Sequence, residues 1–267
     1  MNIDDLLYLS DLNLAESVRE MTRWHADGRI IEQDDLLITK GASASPVTNC
    51  VIRTSPGAKP DAGSVMKLIR DYYEEHHSGF SIYIRDHFDA DLKSACESFQ
   101  MVKISDAPGM MIDTIIPDEP LVKNIEIRTV TDGKGAADFA SVAIDSFQSL
   151  GMSADLGKKI FATPERMLKP HMHMAVAYVD GLQASCAFAL FSHSIAGVYW
   201  VGTSRNARGK GLAEACTRAV TNWALERGAS AVVLQASKFG EPIYRRMGFS
   251  EFTRYPWYMH FRLKEAG

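Results

Sequence analysis

Ser204-Arg205-Asn206-Ala207-Arg208-Gly209-Lys210-Gly211-Leu212-Ala213 stands between an apolar run that ends near Gly202 and a stretch of helical spacing that begins at Leu212. Glycines at the entrance of a helix let the backbone approach an anion closely. They also turn successive N–H groups toward it, at the positive end of the helix dipole. Arg205, Arg208 and Lys210, with no acid between them, make this a basic exception in a chain of formal net charge −4. The segment reads as a diphosphate-binding turn. On the glycines alone, a tight turn in a solvated basic loop accounts for them equally well.

Reading outward, the spacing predicts a helix over 212–227. Leu212, Ala215, Cys216, Ala219 and Trp223 form one apolar stripe, and Gly228 supplies the stop. Upstream, three strands over 172–178, 182–192 and 195–202 are separated by Asp180-Gly181 and a turn at 192–194, the pattern of an antiparallel meander. Ahead of them lie a strand over 125–130 and helices over 132–147 and 154–161. Downstream come an apolar strand over 231–235, a short helix over 240–246 and, over 249–261, a pair of strands or one long broken one.

Elimination narrows the phosphate motif. A Walker loop requires Ser or Thr after Gly-Lys, whereas Gly211 follows Lys210, and Ala207 stands five residues after Gly202 where that loop has its second glycine. A dinucleotide fingerprint requires a third glycine early in a β-α-β unit, and Gly209-Lys210-Gly211-Leu212-Ala213-Glu214 lacks it and follows a meander.

Arg208-Gly209-Lys210-Gly211-Leu212-Ala213 is similar to the R/Q-x-x-G-x-G/A signature of GCN5-related N-acetyltransferases, which cradles the diphosphate of coenzyme A. Glu241-Pro242-Ile243-Tyr244-Arg245-Arg246-Met247-Gly248-Phe249 resembles that family's second landmark, a short helix with Tyr four residues before Gly-Phe. The resemblance covers residues 125 to 261. It implies an α/β fold with a mixed sheet and a catalytic domain over 119–267 that uses acetyl-CoA as cosubstrate without a metal. It further implies that Val201 and Thr203 pair with the pantetheine arm and that amides of Arg208, Gly209, Lys210, Gly211, Leu212 and Ala213 hold the diphosphate. Ser237 stands where many relatives have Asn, and Gly240 where many have Ala. Tyr244 is the expected general acid for the departing thiolate. Free Tyr titrates near 10 and a thiol near 8.5, so full transfer in water runs uphill by about 2 kcal/mol, and the site has to assist. For the base, the strand over 195–203 offers no acid; Glu241, Asp145 and His193 are candidates beside a water relay.

Over 1–118 the expected order is a helix over 12–24, strands over 36–39 and 47–53, a helix over 60–76, a strand over 80–85, a helix over 89–97 and a strand over 99–104. The boundary is expected between Asp106 and Asn124, where Pro108-Gly109 and Pro117-Asp118-Glu119-Pro120 interrupt regular structure. The order echoes the end of the second domain, with Ser98-Phe99-Gln100-Met101 where Gly-Phe would stand. The stretch over 54–60, however, has two prolines and lacks paired glycines. The reading is of two tandem acetyltransferase-like domains, the first a degenerate copy or accessory domain that shapes the acceptor site or mediates homodimerisation.

Composition bounds the rest. The 267 residues are 46% hydrophobic and 23% charged, ordinary for a globular chain, and the acidic balance argues against nucleic acid as a partner. No apolar run reaches the roughly 18 residues of a membrane span. The acidic start, Met1-Asn2-Ile3-Asp4-Asp5, lacks the positive charge of a secretory leader, which predicts a cytoplasmic protein without membrane association. Cys50, Cys96, Cys186 and Cys216 sit apart in apolar runs and read as core residues. His171 and His173 share a strand face but have no cysteine nearby, and His76-His77 ends a helix. Tyr255-Pro256-Trp257-Tyr258 lies where relatives line the acceptor pocket. Two functions fit: transfer of an acetyl group from acetyl-CoA to a primary amine of a small molecule or peptide, or a non-catalytic acyl-CoA sensor or scaffold.

Overall fold

Residues 1–41, 43–55 and 60–262 are described by a computed structural model. The first half of the chain forms α1 (Ile3–Arg23), β1 (Arg29–Gln33), β2 (Leu36–Lys40), β3 (Cys50–Arg53), α2 (Ala62–Glu75), β4 (Phe80–Tyr83), α3 (Ala90–Ser98) and β5 (Val102–Ile112). The second half forms β6 (Ile125–Thr129), α4 (Gly133–Phe147), α5 (Ala154–Ile160), β7 (Met172–Val179), β8 (Leu182–Ser192), β9 (Ile195–Thr203), α6 (Leu212–Glu226), β10 (Val232–Gln235), α7 (Glu241–Arg246) and β11 (Ser250–His260). All eleven strands join one mixed sheet in the order β1-β2-β3-β4-β11-β5-β10-β9-β8-β7-β6.

The two halves repeat one plan around the central β11–β5 pair. Each has an antiparallel meander, a helix, a strand parallel to the meander's last strand, a short helix and a long final strand. The parallel pairing is brief in both, limited to Cys50↔Ser81 and Val51↔Ile82 in the first half and to Ala196↔Val232 and Gly197↔Val233 in the second. Details recur as well. Met101 N–H donates to Cys96 O at 3.0 Å and Phe249 N–H to Tyr244 O at 3.0 Å, so Gln100-Met101 stands where Gly248-Phe249 does. Each final strand crosses into the other half: β11 pairs with β4, and β5 pairs with β10.

That crossing explains where the expected elements shift. Pro108-Gly109 lies inside β5, at the centre of the sheet, and not in a linker. The Pro108 carbonyl accepts from Ala236 N at 2.9 Å, one residue beyond the end of β10, so the donor that proline lacks falls where the ladder stops. Pro256 solves the same problem in β11, accepting from Ile84 N at 2.9 Å just past β4. Gly109 is required because a Cβ there would meet the Tyr255 ring at 2.8 Å. Regular structure breaks instead after Ile112 and resumes at Ile125. The strand expected over 99–104 starts at Val102, because Phe99 and Gln100 form the turn that ends α3, and residues 250–260 form one strand with two register shifts.

α1 starts at Ile3, nine residues before the expected Leu12, where the Asn2 side chain caps it by accepting from Asp5 N at 2.8 Å. Its buried face is largely polar. Asn13 donates to Leu190 O and Ser192 Oγ and accepts from Tyr199 OH at 2.8 Å, while Asp11 accepts from Tyr255 OH at 2.9 Å and contacts His87 Nε2 at 3.0 Å. This helix of the first half therefore bonds to three strands of the second and to the loop after β4. β1, which was not expected from the pattern, is an exposed edge strand. The four cysteines are buried and unpaired. Of the described helices, none is long and apolar enough to cross a membrane. His173 stacks on Trp223 at 4.3 Å, and burial together with the Arg227 charge pulls its pKa down to about 4. His77 takes φ 50 just beyond α2, as Gly228 takes φ 88 after α6.

Candidate active site

β9 and β10 diverge beyond Gly197 and Val233, because no further pair joins them. The divergence opens a cleft of about 480 Å³ lined by Val201, Thr203, Arg208, Gly209, Gly211, Leu212, Ala213, Ser237 and Tyr244 among others. These expected residues thus come together in space. Lys210 and Glu241 do not line the cleft.

The loop into α6 presents a run of free backbone donors. Among the described residues, none of the backbone amides from Arg208 through Glu214 finds a hydrogen-bond acceptor, and Gly211 caps α6 without any side-chain contribution. Unpaired N–H groups at a helix start, reinforced by the dipole, favour a phosphate. Gly209 and Gly211 take φ +78 and +72, and a Cβ on either would meet nothing within 4 Å, so the space in front of them is open. Both positions favour glycine on backbone grounds.

Arg208, in contrast, has its side chain committed to the protein. Its guanidinium donates to Thr203 O at 3.3 Å, Ser146 O at 3.5 Å and Ser149 Oγ at 3.0 Å, which ties the end of α4 to the loop. Ser237 Oγ accepts from Gly240 N at 3.1 Å, shaping the turn into α7.

Tyr244 is buried in the cleft wall, its ring edge-on to Phe249 at 5.8 Å. Burial pushes its phenol up, opposed weakly by the Thr217 hydroxyl, so the ring stays protonated at neutral pH. A Cβ on Gly240 would lie 2.7 Å from Tyr244 Cε2, so glycine at that position gives the ring its seat. Glu241 points along the outer face of α7, where Arg245 Nη2 holds it at 2.8 Å. Asp145 is exposed and accepts from Arg205 N at 3.3 Å, and His193 lies in the β8–β9 turn at the opposite end of β9 from Thr203.

Sequence reasoning missed several walls. Phe147, Leu150 and Phe239 line the cleft, and Trp200 forms a bulge in β9 at φ 51 where the register against β8 shifts. Gly202 was a readable signal, since a Cβ there would collide with Ser146 Oγ and force α4 away from the strand.

The corresponding opening between β3 and β4 is filled. Arg85 donates twice to Asp89, at 2.8 Å each, and to Ser55 O at 2.9 Å. Arg53 donates to Asp91 at 2.7 and 2.9 Å and contacts Asp89 at 3.4 Å. The Asp61 side chain caps α2 by accepting from Ser64 N at 3.1 Å and so places a carboxylate at a helix start that Gly211 leaves free in the second half. Cys96 stands where Tyr244 stands. Of the proline-containing stretch noted over 54–60, residues 56–59 lie outside the described residues.

The second half thus brings together a splayed parallel strand pair, a glycine loop with unpaired amides entering a helix, and a buried tyrosine on the short helix that follows. Residues 145–255 match the family model of the acetyltransferase (GNAT) domain. The whole chain has the fold of that family. It superposes on a GCN5-related N-acetyltransferase from Kribbella flavida with TM-score 0.72 at 18% identity, covering 95% of this chain and 96% of that one. A functionally unknown conserved protein from Staphylococcus epidermidis gives 0.61 at 12% identity, covering 90% and 96%. A tandem GNAT protein from the clavulanic acid biosynthesis pathway gives 0.58 at 11% identity, covering 96% and 94%. At these identities the likeness is one of fold. No curated protein matches at the level of sequence.

Proposed function

We propose that the chain transfers the acetyl group of acetyl-CoA to a primary amine of a small molecule or peptide by direct attack of the amine on the thioester. The observation that carries this reading is the run of unpartnered amides from Arg208 to Glu214 facing open space at the start of α6. On this reading those amides hold the diphosphate, and the unpaired edge of β9 from Val201 to Thr203 receives the pantetheine arm.

Tyr244 assists the leaving thiolate. Because burial raises the phenol above its ordinary value, complete proton transfer to a thiolate is more uphill than in water. The residue therefore acts as a hydrogen-bond donor that stabilises developing charge on sulfur, and the thiol gains its proton from the ammonium formed on acylation. Among the described residues Glu214, at the first turn of α6, is the one carboxylate that lines the cleft, and it is tied to Arg218 at 3.2 Å, while Glu241 is ion-paired outside. Water relays the amine proton.

The first half is read as a copy of the fold whose cofactor opening has been closed by Arg53, Arg85, Asp89 and Asp91. The missing base favours one second reading, a non-catalytic acyl-CoA sensor. Tyr244→Phe discriminates, since an enzyme loses rate at unchanged affinity and a sensor has no rate to lose.

Calorimetric binding of acetyl-CoA to wild type and to Gly211→Glu tests the site. Micromolar binding abolished by the carboxylate is expected. Equal binding by both proteins would refute the assignment of the loop.

A further inference from the structure

This inference rests on the acetyltransferase reading and concerns the length of the acyl group. A strand advances about 3.3 Å per residue. An arm laid along β9 from Thr203 toward the fork therefore reaches the level of Trp200 within three residues, before the strands close at Gly197. There the bulge turns the indole out of strand alternation, with Trp200 at φ 51. One side of the indole packs on Phe147, which lines the cleft, with ring centroids 4.6 Å apart. Its other surroundings are Phe161 at 5.0 Å and a second cavity of about 40 Å³ between the two halves, bounded also by Val18, Met21, Cys50 and Ile160. The indole N–H reaches only the thioether of Met21, at 3.3 Å, a weak acceptor.

We propose that Trp200 sets the acyl-chain length. Its indole lines the cavity and stands directly behind Phe147 of the cleft wall, so that it backs the partition between the two spaces and limits the site to acetyl. Removing it lets Phe147 swing back and joins the two spaces into a channel that takes a chain of four to six carbons. Val47 with Thr22, His25, Thr39 and Thr48 completes the cavity's lining, which among the described residues holds no carboxylate, lysine or arginine, so the joined space suits an alkyl tail better than a charged one.

The test is calorimetric binding of acetyl-CoA, butyryl-CoA and hexanoyl-CoA to wild type, Trp200→Gly and Trp200→Leu. Glycine accepts φ 51 without strain. Each methylene newly buried strengthens binding about fourfold. Hexanoyl-CoA should therefore bind Trp200→Gly at least about tenfold more tightly than it binds wild type, with acetyl-CoA changed less than about threefold. Trp200→Leu should shift in the same direction by less. Equal hexanoyl-CoA affinity in wild type and both variants, with acetyl-CoA binding intact, would overturn the gate while leaving the cofactor site standing. Loss of acetyl-CoA binding in both variants would show that the indole holds the cleft together, which also overturns it. Failure of wild type to bind acetyl-CoA would overturn the cofactor reading and the gate with it.

Discussion

Gly240→Ala is a one-methyl perturbation whose effect can be worked from the geometry. Gly240 sits at φ −82 and ψ −35, where alanine is at ease, so the backbone contributes a gain of about 0.4–1 kcal/mol by restricting the unfolded chain. Against this, the new methyl would lie 2.7 Å from Tyr244 Cε2 and 3.2 Å from Cζ. Ordinary contact begins near 3.4 Å, so the ring must move by about 0.7 Å or more; overpacking of this kind costs about 1–3 kcal/mol. The net is a loss of about 1 kcal/mol, a fall in Tm of about 2–4 °C for a chain of this size. The effect on rate is larger. Displacing a group aligned with the reacting atoms by about 1 Å costs up to about 100-fold, so thiol release with a productive amine should drop by one to two orders of magnitude while acetyl-CoA affinity holds. If the methyl acts through Tyr244, Gly240→Ala in a Tyr244→Phe background adds little further loss of rate. Full activity in Gly240→Ala, or losses that multiply in the double variant, would refute the placement of Tyr244 at the leaving group.

Arg85→Ala removes the paired hydrogen bonds that neutralise buried Asp89, leaving Arg53, at 3.4 Å, as its one charged partner among the described residues, and should cost about 3–5 kcal/mol. By thermal denaturation that is a fall in Tm of roughly 10 °C, and a change under about 2 °C would contradict the network. His173, pulled down to about 4 by burial, stays neutral in the fold while the unfolded chain protonates it below about 6.5. Stability is therefore lost as pH falls from about 6.5 to about 4, by about 1–2 kcal/mol after allowance for partial solvent exposure. His173→Gln should flatten that part of the pH profile in urea titrations, and an unchanged profile would refute the linkage. Residues 119–267 produced alone lack β5, which leaves β10 and β11 unpaired with each other. They should show no cooperative melt until a segment containing 1–118 is supplied, and a sharp transition in the isolated piece would show that β5 is dispensable.

The second half was the more legible because its signals are local. The stripe from Leu212 to Trp223, the stop at Gly228 and the two glycines of the loop each act within a few residues. β5 was not legible in that way. Pro108-Gly109 is a break by every local rule. It survives in the centre of the sheet only because Ala236 lies past the end of β10 and Tyr255 fills the space over Gly109, facts that depend on residues more than 100 positions away. The start of α1 was hidden for a related reason. Asp11, Asn13 and Ser17 point inward to polar partners, so the buried face carries no apolar period to read. Within the site, the loop and Tyr244 carry recognisable residue types at fixed spacing. Trp200 and Phe147 earn their positions from a bulge and a helix packing that no spacing rule reveals.

The two halves share a backbone plan but differ at the helix that follows the parallel pair. Both halves keep the same brief parallel pairing and the same turn after the short helix, so the backbone offers an opening in each. What differs is charge and capping. In the second half the helix after the opening begins at a glycine with its amides unpaired, and on the proposed reading a bound anion supplies the missing acceptors. In the first, Asp61 already caps the helix, and Asp89 and Asp91 already neutralise the two arginines that fill the gap. A diphosphate there would meet three carboxylates and would have to displace Arg53 and Arg85 from partners at 2.7–2.9 Å. Closing the gap in this way supplies a rigid partner for β11. That strand reaches the first half through β4 and β5, and it carries Thr253 and Tyr255 along β5 beside Gly109. On this reading the first half acts by bracing the strand that flanks the acceptor side of the cleft. The rigidity that bracing requires is incompatible with keeping a second opening.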